Sequence, residues 1–467
     1  MEILTTAQVL ALAPDAASAK AGQGLGNPGK WVSLGRRERS VWGQCQGSGK
    51  DPYRTQADLT GPAFHCSCPS RKFPCKHGLG LLLILASNAA KLAESEPPPW
   101  VSEWIAKRDA GAEKKAQKAQ AESAPADPET EAKRAAEKEK RAAKREDRVR
   151  AGLAELQTWL SDLARQGLAH AKQRPAQFFD GMAGRMVDAQ APGIARRLRG
   201  WPSVFASGDD WADRALEEAG ALQWLMHGFA QCEALPEGLQ ASVRGAIGWT
   251  VAEQDLAAGE GVRDRWQVVG QRVEEEDKLR VQRTWLKGET TGRAALCLSF
   301  AAMNQALDVS LISGTTVDAE LVFFPSASPL RALVRTRQGE PQALREAAAA
   351  ADFSEALDQT AALLAGDPWL ERSPWLVRGC LPFRTESGWC LRDEKGKSVP
   401  LSRRFAAAWP LFAVSGGLPV TVFGEWDGHA LLPLSALAEG RFISLGSSPL
   451  SLTTTSTYPE RLGGSPS

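Results

Sequence analysis

Four residues able to bind a metal stand close together near the N-terminus: Cys66, Cys68, Cys75 and His77, in the pattern C-x-C-x6-C-x-H. Three of the chain's eight cysteines and one of its five histidines fall in this short stretch. Zinc takes four thiolate or imidazole ligands tetrahedrally, and four protein ligands leave no position for water. The chemistry implied is a structural Zn2+ centre rather than a catalytic one. The residues between the ligands include Ser67, Pro69, Ser70, Arg71, Lys72 and Pro74. That composition does not suit a chance cluster of reduced, buried cysteines. Three thiolates and a neutral imidazole around Zn2+ carry a net charge of about −1, and Arg71, Lys72 and Lys76 are placed to offset it.

The elements that must hold these ligands follow from the spacing. With one residue between Cys66 and Cys68, the two can converge only from a turn or a strand end. Pro69 and Pro74 favour this, because each fixes its own φ and biases the preceding residue away from helix. After Pro74 the chain reads Cys75-Lys76-His77-Gly78-Leu79-Gly80-Leu81-Leu82-Leu83-Ile84-Leu85-Ala86. Cys75 therefore falls at a helix N-terminus, where the dipole favours a thiolate. This constellation resembles the SWIM-type zinc finger, whose pattern is C-x-C-xn-C-x-H and whose fold is a short β-hairpin followed by a helix. All four ligand positions match, over about residues 30 to 90. The resemblance implies binding to DNA or to proteins. It also implies a likeness to bacterial SWIM proteins whose companions include MoxR-type AAA ATPases and von Willebrand A-domain proteins.

At 467 residues the chain exceeds one ordinary core. Its 43% hydrophobic and 24% charged residues are those of a soluble globular protein. The net charge of +1 hides an asymmetry, with nine Lys/Arg against three Asp/Glu between Lys30 and Gly80. Affinity for polyanions should therefore concentrate in the N-terminal part. Cys45, Cys232, Cys297, Cys380 and Cys390 are scattered singles, which together with a zinc cluster favour a reducing, cytoplasmic compartment. The N-terminal stretch lacks the basic region of a signal peptide. The longest apolar run, Leu79 to Ala86, is far below the roughly 18 residues of a membrane span, so no membrane association is expected.

In chain order, a short helix (Thr6 to Leu12) precedes a glycine-rich loop. Gly24-x-Gly26-x-x-Gly29 fits the dinucleotide fingerprint formally, but no strand precedes it. Strands are expected at Lys30 to Leu34, Ser40 to Gln46 and Tyr53 to Asp58. The turn Gly47 to Pro52 superficially resembles a phosphate-binding loop, but Asp51 stands where Ser or Thr is needed. Arg36, Arg37 and Arg39 are candidates to join Arg71, Lys72 and Lys76 in gripping phosphates. Trp31, Trp42, Tyr53 and Phe73 suit the small core of a finger better than base stacking. Glu96-Pro97-Pro98-Pro99 ends the module. Residues 107 to 128 read as a disordered or fraying linker, followed by a solvated, mixed-charge helix from Glu129. Val149, Leu153, Leu156, Leu160 and Leu163 then mark a helical face. Further helices are expected at Gln177 to Ala189, Asp210 to Cys232 and Gly238 to Ala258.

From about residue 261 the pattern becomes that of strands: Arg265 to Arg272, Leu279 to Leu286, Ala294 to Phe300, Val317 to Phe324 and Leu330 to Thr336. The acidic run 274 to 277 reads as a solvated turn. A helix (Pro341 to Ala365) follows, then strands at Trp375 to Cys380, Gly388 to Leu391, Leu418 to Gly424 and His429 to Leu434. No nucleophile elbow, H-E-x-x-H, Walker A or paired catalytic carboxylates appear. The fold expected is multidomain α+β. Residues 1–95 form a small zinc-bound β-hairpin/helix module and 96–148 a charged Ala/Lys/Glu linker. Residues 149–260 form a helical domain, 261–452 a β-rich domain and 453–467 a disordered tail. The function expected is non-enzymatic recognition of nucleic acid, DNA or RNA, by the finger. The alternative is a protein–protein adaptor, in which zinc is a structural staple. No small-molecule substrate is indicated.

Overall fold

The computed structural model describes residues 4–47, 51–60, 63–70, 72–122, 128–257, 259–276, 279–302, 305 and 307–446. The expected tail, 453–467, lies outside them. The architecture is α+β, with a zinc-finger module, a helical middle and a β-rich C-terminal part.

The N-terminal module starts with α1 (Thr6–Ala11) and α2 (Ala16–Leu25). Strands β1 (Trp31–Arg37), β2 (Ser40–Cys45), β3 (Tyr53–Asp58) and β4 (Ala63–Cys66) follow, then α3 (Lys76–Asn88) and β5 (Ala93–Glu94). They form a five-stranded sheet in the order β4-β3-β2-β1-β5, with β5 parallel to β1. Where a glycine-rich loop is expected, the chain is helical, because Asp15 caps α2 by accepting from Ser18 N at 2.7 Å. The glycines serve close packing: a Cβ on Gly22 would lie 2.7 Å from Leu79 Cβ, and one on Gly80 2.6 Å from Leu25 Cβ. The apolar run of α3 is buried against α1, α2 and the sheet, with Leu79, Leu81 and Ile84 fully enclosed. Trp31 and Trp42 are core residues, Tyr53 is half-buried, and Phe73 is exposed at the edge of Phe64.

Helices α4 (Pro99–Glu122) and α5 (Pro128–Gln166) occupy the stretch expected to be a linker. Residues 107 to 122 are therefore helical, in keeping with their Ala/Lys/Glu composition; residues 123–127 lie outside the described part. α5 runs without a break from the solvated, charged segment into the bundle, so the expected division at 148/149 falls inside one helix. Val149, Leu153, Leu156, Leu160 and Leu163 all face the bundle core. α6 (Leu168–Lys172), α7 (Ala176–Asp188), α8 (Pro192–Phe205), α9 (Trp211–Ala230) and α10 (Glu237–Ile247) complete it. α11 (Glu253–Ala257) is separated from α10 by Gly248, whose φ of +122° ends the helix expected to run to Ala258.

The β-rich part holds two antiparallel sheets. β6 (Gly261–Glu276), β7 (Leu279–Gly288), β8 (Ala294–Ala302), β9 (Thr315–Phe323) and β10 (Ala332–Ala343) pair in the order β10-β9-β6-β7-β8. After α12 (Phe353–Gly366) come β11 (Ser373–Thr385), β12 (Gly388–Arg392), β13 (Ser398–Pro400), α13 (Ala408–Ser415), β14 (Val420–Trp426), β15 (Leu431–Ala438) and β16 (Arg441–Ser444). Their order is β13-β12-β11-β14-β15-β16. Glu274 to Glu276 are not a solvated turn but the end of β6, where Glu274 pairs with Arg272 and lies 3.7 Å from Arg372; Asp277 is outside the described residues. The helix expected from Pro341 starts only at Phe353. Ala350 is instead bridged to Val377, and Asp352 caps α12 by accepting from Glu355 N at 3.0 Å. The two sheets share a core of Val269, Trp285, Phe423 and Leu434. Beside it the buried Glu425 accepts from Trp285 Nε1 at 2.8 Å, Arg283 at 3.0 Å and Arg372 at 2.7 Å. No helix among the described residues is long and apolar enough to cross a membrane.

Candidate metal centre

Strand pairing delivers the first ligand. Cys66 ends β4 and stands opposite Thr55 of β3, whose Oγ1 lies 3.1 Å from Cys66 Sγ. The strand then turns: Ser67 N donates to Arg54 O at 3.0 Å, and Arg54 N donates to Ser67 Oγ at 2.9 Å. This reciprocal pair sets the exit direction that carries Cys68 back beside Cys66. Cys75 is the N-cap of α3, with extended φ and ψ of −75° and 167°, and His77 is in the first turn. The Phe73–Pro74 peptide before them is cis.

The four donor atoms lie within 4.8 Å of one another. His77 Nδ1 is 3.7 Å from Cys66 Sγ and 4.0 Å from Cys75 Sγ. Around a tetrahedral zinc the sulfur–sulfur edges are about 3.8 Å and the sulfur–nitrogen edges about 3.6 Å, so the donor set fits the ion. Cys75 and His77 are buried and Cys66 and Cys68 half-buried. The thiols themselves ask for a cation. The hydrogen bond from Cys66 holds the Cys75 thiol down to about 4, with further support from His77 and the Gly78 N–H. Cys66 is pushed up by the proton it shares with Cys75 and by burial, and Cys68 is pushed up by burial. Three thiols crowded this way cannot all ionise without a divalent cation between them.

The sequence identified the four ligands and put Tyr53 in the small core of the finger, but it set neither Tyr53 nor Thr55 against a ligand. The Tyr53 ring lies 5.0 Å from that of His77, and Thr55 touches Cys66. Both come from β3, and the hairpin register fixed by the turn after Asp58 is the signal that would have found them.

Of the six basic residues singled out for phosphate contact, five lie among the described residues, and three of those are paired with carboxylates. Lys72 pairs with Asp15, the cap of α2, at 2.8 Å. Arg37 pairs with Glu96. Arg39 reaches Asp109 of α4 at 2.5 Å and Asp58 at 3.9 Å, and Arg108 reaches Asp58 at 3.3 Å. The hydrogen bond to Asp109 is the main reason the Arg39 pKa is raised. Arg36 lies within electrostatic reach of Glu340 in β10, whose carboxyl is pushed up by burial and partly brought back by Arg36. Lys76 is exposed in the first turn of α3. Arg71 lies outside the described residues.

Four protein donors closing one buried tetrahedron, at the junction of a hairpin and a helix, define a zinc-finger protein of the structural kind. The SWIM zinc finger family matches residues 65–86, and the SWIM-associated four-helix bundle domain matches residues 144–247. The chain therefore carries a SWIM-type zinc finger and a SWIM-associated four-helix bundle domain, and Cys66, Cys68, Cys75 and His77 form a cluster that fits Zn2+. No curated protein and no solved structure matches it.

Proposed function

We propose that the protein is a non-enzymatic protein-binding adaptor of the cytoplasm, in which zinc staples the finger and the larger folded parts dock a partner. The observation that carries this reading is the charge pattern of the finger. Among the basic residues of the finger, Lys72, Arg37 and Arg39 are paired with carboxylates of the same chain. Phosphates would have to displace those carboxylates, which weakens the counterion-release term on which nucleic-acid affinity depends.

The second reading, nucleic-acid recognition by the finger, is favoured by Lys76 and Arg54. Both are exposed near the metal centre, with no ion pair among the described residues. Fluorescence anisotropy of the zinc-loaded full chain against single-stranded DNA, duplex DNA and RNA separates the two. The adaptor reading expects no binding at about 50 mM salt. Salt-sensitive binding that disappears in Lys72→Ala with Lys76→Ala would overturn it. In the adaptor reading the chain co-elutes with a MoxR-type AAA ATPase or a von Willebrand A-domain protein of the same organism, and retains that partner in high salt.

A further inference from the structure

The third sheet carries an apolar face that the fold leaves uncovered. α13 contains no charged residue, and none occurs from Phe405 to Gly424. A helix apolar on all sides is normally enclosed on all sides. Here Ala408 and Leu411 are buried against the sheet, while Trp409 is 61% exposed, Phe412 40% and, just beyond the helix, Leu418 62%. Trp409 and Phe412 are not loose. Each packs on Trp389 of β12, at ring separations of 5.0 and 5.8 Å, and they meet each other edge-on at 6.1 Å. Rigid aromatic anchors standing proud of a well-packed base are what interface hot spots look like, and contiguous exposed apolar surface of this kind marks a contact site.

We propose that this face pairs with the same face of a second copy of the chain. Three observations select that occupant. The uncharged run means that two copies meet with no like charges at the centre. The rim is self-complementary: Arg384 stands opposite Trp389 in the β11–β12 register, and Glu386 lies in the turn that follows. Both are exposed, and neither has an ion pair among the described residues. A two-fold axis brings residue i of one copy to residue j of the other and j to i, so each Arg384 meets the other copy's Glu386. Finally, the three exposed side chains present roughly 350 Å2 per copy, given about 150–250 Å2 for a whole aromatic side chain. With the hairpin turn the pair buries about 1,000 Å2 in total, the lower limit for specific association. The dimer is accordingly reversible, with a dissociation constant in the micromolar range.

Sedimentation velocity of the zinc-loaded full chain from about 1 to about 100 µM tests this. The expected result is a monomer at the low end that becomes a dimer across the range. Trp409→Glu with Leu418→Glu should weaken association by at least about a hundredfold, with zinc content and circular dichroism unchanged, since both side chains are exposed. Arg384→Glu alone should weaken it about three- to tenfold, and Arg384→Glu with Glu386→Arg should restore it. A monomer at every concentration would overturn the proposal and leave the face to a different protein. A dimer indifferent to the α13 changes, or a charge swap that fails to rescue, would overturn it as well. None of these outcomes depends on the adaptor reading, which is judged by its own partner.

Discussion

Removing the metal should unfold the N-terminal module while leaving the bundle intact. The perturbation is Cys66→Ser with Cys75→Ser, which takes one ligand from the strand side and one from the helix side of the centre. In isolated finger peptides structural zinc supplies about 10–16 kcal/mol of folding free energy at neutral pH. A whole domain is stable by only about 5–15 kcal/mol. The structure adds a further cost. His77 is buried, and without the ion its imidazole loses its partner at about 1–3 kcal/mol for a buried polar group. The apolar packing of α3 against Gly22 and Leu25 does not compensate, because α3 is oriented by Cys75 and His77 at its first turn. Hydrogen exchange with parallel metal analysis is the assay. The double variant should hold no zinc and lose amide protection over β1 to β4 and α3, while residues 149 to 247 exchange as in the parent. Cys45→Ser, a buried change outside the cluster, should keep one zinc per chain. A metal-free double variant with parental protection in β1 to β4 would refute the structural role of the ion.

Two further outcomes follow from local geometry. Burial alone would push Glu425 up, but Arg283, Arg372 and the Trp285 N–H more than offset it and hold the carboxyl at about 2, against an ordinary value of 4.5. A depressed carboxylate stabilises the fold above its unfolded pKa and stops doing so as pH falls through its folded one. The shift is worth about 3 kcal/mol, present above about pH 4.5 and lost toward pH 2. Glu425→Gln leaves three guanidinium groups, of Arg272, Arg283 and Arg372, facing a neutral amide and should cost about 3–5 kcal/mol at pH 7. Urea midpoints of parent and variant should converge below pH 4.5, and a constant gap would show that the ion pairs are not the cause. Gly80→Ala should cost about 1–3 kcal/mol, because the new methyl would sit 2.6 Å from Leu25 Cβ and 3.1 Å from its backbone. Gly24→Ala, in the same helix pair but facing open space, should be neutral or stabilising by about 0.5–1 kcal/mol; equal losses at the two sites would exclude the packing explanation.

The metal centre was legible because its information is local. Ligand type and spacing suffice to read Cys66, Cys68, Cys75 and His77, and the structure brings all four together. The inner face of α5 was legible for the same reason, since Leu153, Leu156, Leu160 and Leu163 recur at helical spacing. α13 was not, because a helix without a polar face has no period to detect. α2 was hidden by its glycines, which read as loop, although Gly22 instead admits the close approach of Leu79. The basic residues are the instructive case. Their number between Lys30 and Gly80 suggested a phosphate surface, yet their partners are set by tertiary structure: Asp15 for Lys72, Asp109 for Arg39 and Glu96 for Arg37. Charge counts along a sequence locate the cations but not the anions folded onto them.

Those pairs also explain how a small metal centre can act on a long chain. Zinc fixes the first turn of α3, and α3 holds α1 and α2 through the tight contacts at Gly22 and Gly80. The capping box at Thr5 and Gln8 starts α1, and the Gln8 side chain then donates to the carbonyl of Gly314, just before β9. Ile312 of the same segment completes the finger core, and Phe442 of β16 packs beside Gly314. The finger is thereby continuous with the β-rich part. A finger held this way is packed onto the segment that leads into β9. Loss of zinc should therefore be felt at residues 309 to 315, far from the ligands in sequence, before it is felt anywhere in the bundle.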